Sequence, residues 1–308
     1  MTYIIVLNYN GASDTLECLE SLNNIQEEYK IVLIDNKSTD DSVNELEKWI
    51  QVQSFYDGNK LVFIQSDENN GYAAGNNIGI KFVLEQKDAK FIWILNNDTK
   101  VYDTSLAELL KTYNVFQKKL KIGFIGSKIL DYSKPEMIQS SGIKRNCIGK
   151  RVDRYRNKSS SFLINDTEVD DICGCSVFFS KDIISDIGLM PEEYFLYYEE
   201  TDWMYRASLL SYHNFTSANS IIYHKEGKST GGQLSPFVIY YMTRNRILYS
   251  KKYKNFATHI IFMFFYFNYS ILKVIKFYFK NKKVSRSIFL GLFDGIKGIT
   301  GNTYQENV

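Results

Sequence analysis

An α/β fold with a mostly parallel sheet follows from three features of this chain. Short β-rich runs alternate with amphipathic helical patterns from the N-terminus onward. Each strand–helix pair takes about thirty residues, the length of a βαβ crossover. The third feature is Phe91-Ile-Trp-Ile-Leu-Asn-Asn-Asp98, an apolar run that ends on two amides and a carboxylate. It reads as a buried strand, and open α/β sheets bind ligands at the carboxyl ends of their strands.

The strands expected are Tyr3–Asn8, Lys30–Asp35, Leu61–Gln65 and Lys90–Leu95. Between them Leu16, Leu19 and Leu22 share one helical face, as do Val43, Leu46, Trp49 and Ile50, and then Ile78, Phe82 and Val83. Ser13 and Asp40 are the expected caps of the first two helices. A helix at Ser105–Phe116 and a strand at Ile122–Leu130 continue the alternation. From Asp131 to Asp170 the chain is polar and without period, a long insertion of the kind that is functional or a plain surface excursion.

Hydrophobic content of 44% and charged content of 23% are those of a folded protein and exclude general disorder. Cys18, Cys147, Cys173 and Cys175 form neither a zinc spacing nor a disulfide framework, and are expected as small residues in a reducing compartment. The N-terminus runs into a strand without the basic and apolar regions of a secretory signal. The charge of +2 is unevenly spread. Lys251 to Arg286 holds nine Lys or Arg and no Asp or Glu, which leaves −7 for the remainder. Within it Phe256–Leu272 is strongly apolar, and Lys273, Lys276, Lys280, Lys282 and Lys283 follow among aromatics. That pattern suits an amphipathic helix on an anionic membrane, or else a helical hairpin packed on protein. Interleaving with so apolar a run argues against nucleic acid.

The strand ends carry the chemistry. The first strand ends in Asn8-Tyr9-Asn10-Gly11 and the second in Asp35-Asn36-Lys37-Ser38-Thr39-Asp40; after the third comes Asn69-Asn70-Gly71-Tyr72-Ala73-Ala74-Gly75-Asn76-Asn77. Asp35 can accept from a base N–H, Tyr9 can stack on its ring, and Gly71 and Gly75 permit close approach of backbone to a ligand. A second acidic group, Tyr198-Glu199-Glu200-Thr201-Asp202-Trp203, lies about a hundred residues after Asp98. Clustered carboxylates raise one another's pKa, which suits a general base.

With these blocks and with Tyr223-His-Lys-Glu-Gly-Lys-Ser-Thr-Gly-Gly232, the chain resembles the family 2 glycosyltransferases. Among them it is similar to bacterial rhamnosyltransferases of polysaccharide assembly. The resemblance covers Ile4 to about Arg246. It implies a GT-A fold: a nucleotide-binding half (1–100) and an acceptor-side half (101–250), followed here by a helical, membrane-associated extension (251–308). It implies Asn8, Tyr9, Asn10, Asp35, Asn36, Ser38, Asn70, Gly71, Gly75, Asn76, Asn97 and Asp98 around the nucleotide sugar. Asp98 would bind Mg2+ or Mn2+, with Asn96 in place of the first acid of the family's Asp-x-Asp element. His224 would join at the metal or diphosphate. Glu200 matches the catalytic base, with Asp202 and Glu199 beside it. Trp203, Lys228 and Arg244 are candidates for acceptor or phosphate contact, in a loop hinged at Gly227, Gly231 and Gly232.

The expected reaction is inverting transfer from a dTDP- or UDP-linked sugar, rhamnose first, to a glycan or lipid-linked acceptor at the inner face of the cell membrane. UDP-hexose and UDP-galactofuranose donors are alternatives, and so is a catalytically silent glycan-binding or scaffolding subunit. Oligomerisation is compatible with the sequence.

Overall fold

The computed structural model describes residues 1–52, 60–145, 151–225 and 235–304. The chain divides into two compact units. One comprises Met1–Asn69, Ala74–Met190 and Trp203–Glu226; the other comprises Asn70–Ala73, Pro191–Asp202 and Gly227–Val308.

The first unit is built on one mixed sheet. Strands β1 (Thr2–Asn8), β2 (Tyr29–Asp35), β3 (Leu61–Gln65) and β4 (Phe91–Asn96) pair parallel in the order β4-β1-β2-β3. They match the expected runs to within a residue at each end. Asn8 lies opposite Asp35 and Leu7 opposite Asn96, so the polar ends of three strands emerge at one sheet edge. Ile4, Ile31, Leu33, Trp93 and Leu95 are fully buried, as strands covered on both faces require.

The sheet continues through β5 (Thr99–Val101), β6 (Ile122–Asp131), β7 (Ile138–Ser140), β10 (Thr167–Val169), β11 (Ser176–Ser180) and β12 (His213–His224), while β8 (Lys144–Arg145) and β9 (Arg151–Val152) pair as a separate two-stranded ribbon. Strand β11 runs antiparallel to both β4 and β6, and β12 is parallel to β6. Strands β7 and β10 pair with β6 and β12, so the expected irregular stretch is partly sheet. Strands of two or three residues are too short to show a period.

Helices α1 (Ala12–Leu22), α2 (Ser42–Val52), α3 (Tyr72–Leu84) and α4 (Ser105–Phe116) occupy the expected places. Asp40 caps α2 by accepting from Ser42 N–H at 3.0 Å. Ser13 does not cap α1. It lies inside the first turn; Gly11 is the N-cap residue, and Ala12 N–H donates to Ser42 Oγ instead. The inner face of α3 also differs from expectation, being Gly75, Gly79, Ile80 and Val83 rather than Ile78 and Phe82. A Cβ on Gly79 would lie 2.8 Å from Ile5 and Ile34, so the glycines bring this helix close to the sheet.

After the short helix α5 (Ile183–Ile187), helix α6 (Glu199–Leu209) contains the division between the units, which falls after Asp202. The second unit holds α7 (Pro236–Tyr253), α8 (Phe256–Tyr278) and α9 (Lys282–Lys297). Ser235, Asn255 and Asn281 cap them, each accepting a backbone N–H three residues on.

Candidate active site

The ends of β1 and β2 are tied together by side chains. Asn8 Nδ2 donates to Asp35 Oδ2 at 2.8 Å, and Ser38 donates to the same carboxylate through its N–H (2.8 Å) and Oγ (2.6 Å). Asn97 Nδ2 reaches Thr15 Oγ1 at 3.0 Å and Thr15 donates to Asn8 Oδ1 at 2.7 Å. Asn10, at φ 50°, exchanges bonds with Thr39. Asp35 is 1% exposed, so it braces the loops from beneath, while Tyr9 and Asn10 face outward. Asn36 donates to Asn69 at 3.1 Å, Asn76 is fully buried and Asn70 is exposed.

Gly71 and Gly75, expected to let backbone approach a ligand, are both packed closely against protein. Gly71, at φ +95°, lies against the Phe195 carbonyl, where a Cβ would come within 2.1 Å of the oxygen. A Cβ on Gly75 would meet the Leu7 methyls.

Asp98 follows β4 and is brought to His224 by strand pairing. Antiparallel β5 and β12 place His224 opposite Thr99. His224 Nε2 then sits 3.2 Å from Asp98 Oδ1, both side chains 10% exposed. Gln139 Oε1 takes the other ring nitrogen at 2.8 Å. A bond donated from Nδ1 leaves Nε2 and a carboxylate oxygen face to face, a gap that only a proton or a cation fills favourably. Burial opposes ionisation of Asp98, but the His224 contact and its charge outweigh this and hold the carboxyl below its usual value. Asn96 Oδ1 is also buried without a hydrogen bond among the described residues. Carboxylate, imidazole and amide oxygen are donors that a divalent cation accepts. No cluster of three acidic, His or Cys ligands occurs among the described residues.

The acidic group opens α6 within the second unit, behind a strained turn. Phe195, Tyr197 and Tyr198 all have positive φ (64°, 67° and 85°), and each such residue costs roughly 1–3 kcal/mol unless its surroundings enforce it. Asn245 of α7 supplies that enforcement: its Nδ2 lies 2.8–3.0 Å from the carbonyls of Tyr194, Leu196 and Tyr197. The three carboxylates then differ sharply. Asp202 is fully buried and accepts from Tyr194 and Tyr253 hydroxyls, both at 2.8 Å, with Lys252 at 2.8 Å. So committed, it braces the turn against α7. Glu199 is 2% exposed; burial, and then the neighbouring Glu200, raise its pKa well above the ordinary value. Glu200 alone of the three keeps partial exposure.

The acceptor candidates change roles. Trp203 is fully buried among Phe124 and Phe179 and donates to Gly188 O at 2.9 Å, which makes it core. Arg244 is also fully buried, its guanidinium bound to Gly301 O, Thr303 Oγ1 and Tyr194 O at 2.6–2.8 Å. It fastens the C-terminal segment to α7 and leaves no open face for an anion. Lys225 lies between Asp14 and Glu17 of α1 at 2.5 Å each. Lys228 and its glycine-hinged loop lie outside the described residues. Gln139 and Asn245 had no signal in the sequence: one sits in an aperiodic stretch, the other beside more conspicuous arginines.

Known proteins accord with this geometry. The model for glycosyl transferase family 2 matches residues 3–188. The chain is 25% identical over 314 residues to the dTDP-rhamnosyl transferase RfbF of Shigella flexneri, covering 97% of this chain and 96% of that one. It is 25% identical over 211 residues to the low-salt glycan biosynthesis hexosyltransferase Agl10 of Haloferax volcanii, covering 66% of this chain but only 60% of that protein. Among solved structures it resembles the mannosyltransferase PcManGT of Pyrobaculum calidifontis in complex with GDP-Man and Mn2+, with TM-score 0.59, 12% identity, and coverage of 96% and 86%. It also resembles S. aureus TarS 1–349 in complex with UDP-GlcNAc, with TM-score 0.59, 15% identity, and coverage of 97% and 81%. Strand order, polar strand ends and family match agree: the chain belongs to glycosyl transferase family 2 and has the GT-A type of fold.

Proposed function

We propose that this protein transfers a sugar, with inversion, from a dTDP- or UDP-linked donor to a glycan or lipid-linked acceptor in cell-surface polysaccharide synthesis. Rhamnose is the first choice, supported by the end-to-end likeness to a dTDP-rhamnosyl transferase. The observation that carries the reading is the facing pair of Asp98 Oδ1 and His224 Nε2 at the polar edge of the sheet. Mg2+ or Mn2+ held there would offset the charge of the leaving diphosphate. Tyr9 and Asn10 line the nucleotide side over the Asn8–Asp35–Ser38 brace. Glu200 takes the proton of the acceptor hydroxyl as it attacks the anomeric carbon, and Glu199 beside it, its pKa raised by burial and then by Glu200, resists adding a second negative charge. The extension from Lys251 onward brings the enzyme to the cytoplasmic membrane face, where a lipid-linked acceptor would lie.

A thermal-shift screen against dTDP, UDP, GDP, CDP and ADP, with and without Mn2+, tests the reading. One diphosphate should stabilise the protein only with metal, and not in Asp98→Ala. At a hundred times its dissociation constant the gain is about 2.7 kcal/mol. No shift with any nucleotide would overturn donor binding and favour a silent subunit.

A further inference from the structure

We propose that α8 lies flat in the surface of an anionic bilayer, with its outer face in the acyl chains, and does not cross the membrane. The inference rests on the membrane association proposed above and is independent of the sugar chemistry.

By length and composition α8 could span a bilayer, and only 6% of its most apolar window is buried. Its outer face presents Ile261, Phe264, Phe265, Leu272 and Ile275, between 53% and 68% exposed and within about 100° of arc. Phe289, Phe293 and Ile296 form a matching exposed stripe on α9. So large an apolar surface is an interaction site.

The packing of the three helices decides the orientation. Gly291 of α9 lies against the carbonyl of Tyr240, and Gly295 one turn on lies against that of Arg244; the glycines allow the two backbones to meet. The register advances in the same direction on both, so α7 and α9 are parallel and α8 returns antiparallel beside them. It is fastened near its start by Ser250 to His259 (3.1 Å), midway by Arg246 over the Tyr266 ring (5.0 Å), and near its end by Ser285 Oγ to Val274 O (2.8 Å). The helix therefore cannot enter the membrane alone. A spanning α8 would take the exposed Arg246 of α7, and Lys282, Lys283, Arg286 and Lys297 of α9, into or across hydrocarbon. Lying in the plane, the same helix buries its aromatics and keeps these cations at headgroup depth.

Charge selects the occupant. Nine cations and no acid between Lys251 and Arg286 would repel a second copy placed on the same face, whereas an anionic lipid surface attracts them.

The test uses the full chain and sucrose-loaded phosphatidylcholine vesicles, with or without about 30% phosphatidylglycerol. Sedimentation should require the anionic lipid. It should fall at least about tenfold in Lys280→Glu/Lys282→Glu/Lys283→Glu, and in Phe264→Glu/Phe265→Glu with an unchanged melting temperature. A tryptophan added at Ala257, Phe264 or Ile275, which share one helical face, should be quenched to the same shallow depth by brominated lipids, its signal taken against the parent with Trp49, Trp93 and Trp203. Deep quenching at Phe264→Trp with shallow quenching at the other two would establish a span and overturn the proposal. So would absence of binding to both vesicles, or a dimer in light scattering that Phe264→Glu/Phe265→Glu disperses. Nucleotide-dependent thermal shifts in the same samples show separately whether donor binding stands.

Discussion

Replacing Gly71 by alanine should destabilise the fold of the second unit by about 3–4 kcal/mol. The residue sits at φ +95°, which costs an L-amino acid roughly 1–2 kcal/mol. The new Cβ would lie 2.1 Å from Phe195 O, where ordinary contact begins about 1.3 Å further out. The obstacle is a backbone carbonyl, which cannot turn aside as a side chain can. Moving it breaks the Tyr72 N–H to Phe195 O bond of 2.9 Å, worth about 0.5–1.5 kcal/mol, and the remainder is strain in a turn that already carries three positive-φ residues. At about 2–4 °C per kcal/mol, the loss should appear as a fall of roughly 6–16 °C in melting temperature. Gly75→Ala is the control. Its Cβ meets side chains rather than backbone, the movable methyls of Leu7 and then Asn36 Cγ at 3.2 Å, and alanine is favoured over glycine within a helix by about 1 kcal/mol. It should remain within about 1 kcal/mol of the parent by urea unfolding. If the two variants melt together, the carbonyl contact does not hold the turn that presents Glu200, and the reasoning fails.

Asn245→Ala should cost about 2–4 kcal/mol, because three carbonyls lose their shared donor, and transferase turnover should fall with it. Asn245→Asp, which sets a charge against the same carbonyls, should be worse; a variant melting like the parent would remove Asn245 as the clamp. A third prediction concerns pH. Glu199 has a folded pKa raised above its ordinary 4.5 by burial and by Glu200. As pH rises past 4.5 the unfolded chain releases this proton before the folded one does, so stability declines until the raised folded value is passed. Glu199→Gln should flatten that decline and be the more stable protein at neutral pH, in urea titrations between about pH 5 and about pH 8. Identical slopes in the two proteins would contradict it.

The local rules written into the chain determined the framework. Alternation of β-rich runs and apolar helical faces placed four parallel strands and helix Ser105–Phe116 closely, because buried strands and amphipathic helices carry their own periodicity. The carboxyl-end rule was enough to bring Asn8, Asp35 and Asp98 to one edge. Aromatics and lysines after Lys251 marked helices with an unpartnered face. The short strands of the Asp131–Asp170 stretch carried no such signal, since pairs of two or three residues are selected by neighbouring strands.

Only the tertiary structure decided what each polar residue does. Glu199, Glu200 and Asp202 are similar carboxylic acids within four positions, yet one has its pKa raised by burial, one keeps partial exposure and one is bound by two tyrosines and a lysine. Those partners come from other segments, and Tyr253 lies 51 residues away from Asp202. Trp203 and Arg244 look like ligand-binding residues in the sequence and are core and strut in the fold. Gln139 shows the converse, an unremarked amide that sets the orientation of His224. Burial and hydrogen-bond partners are properties of distant segments meeting, and single-chain periodicity holds no record of them.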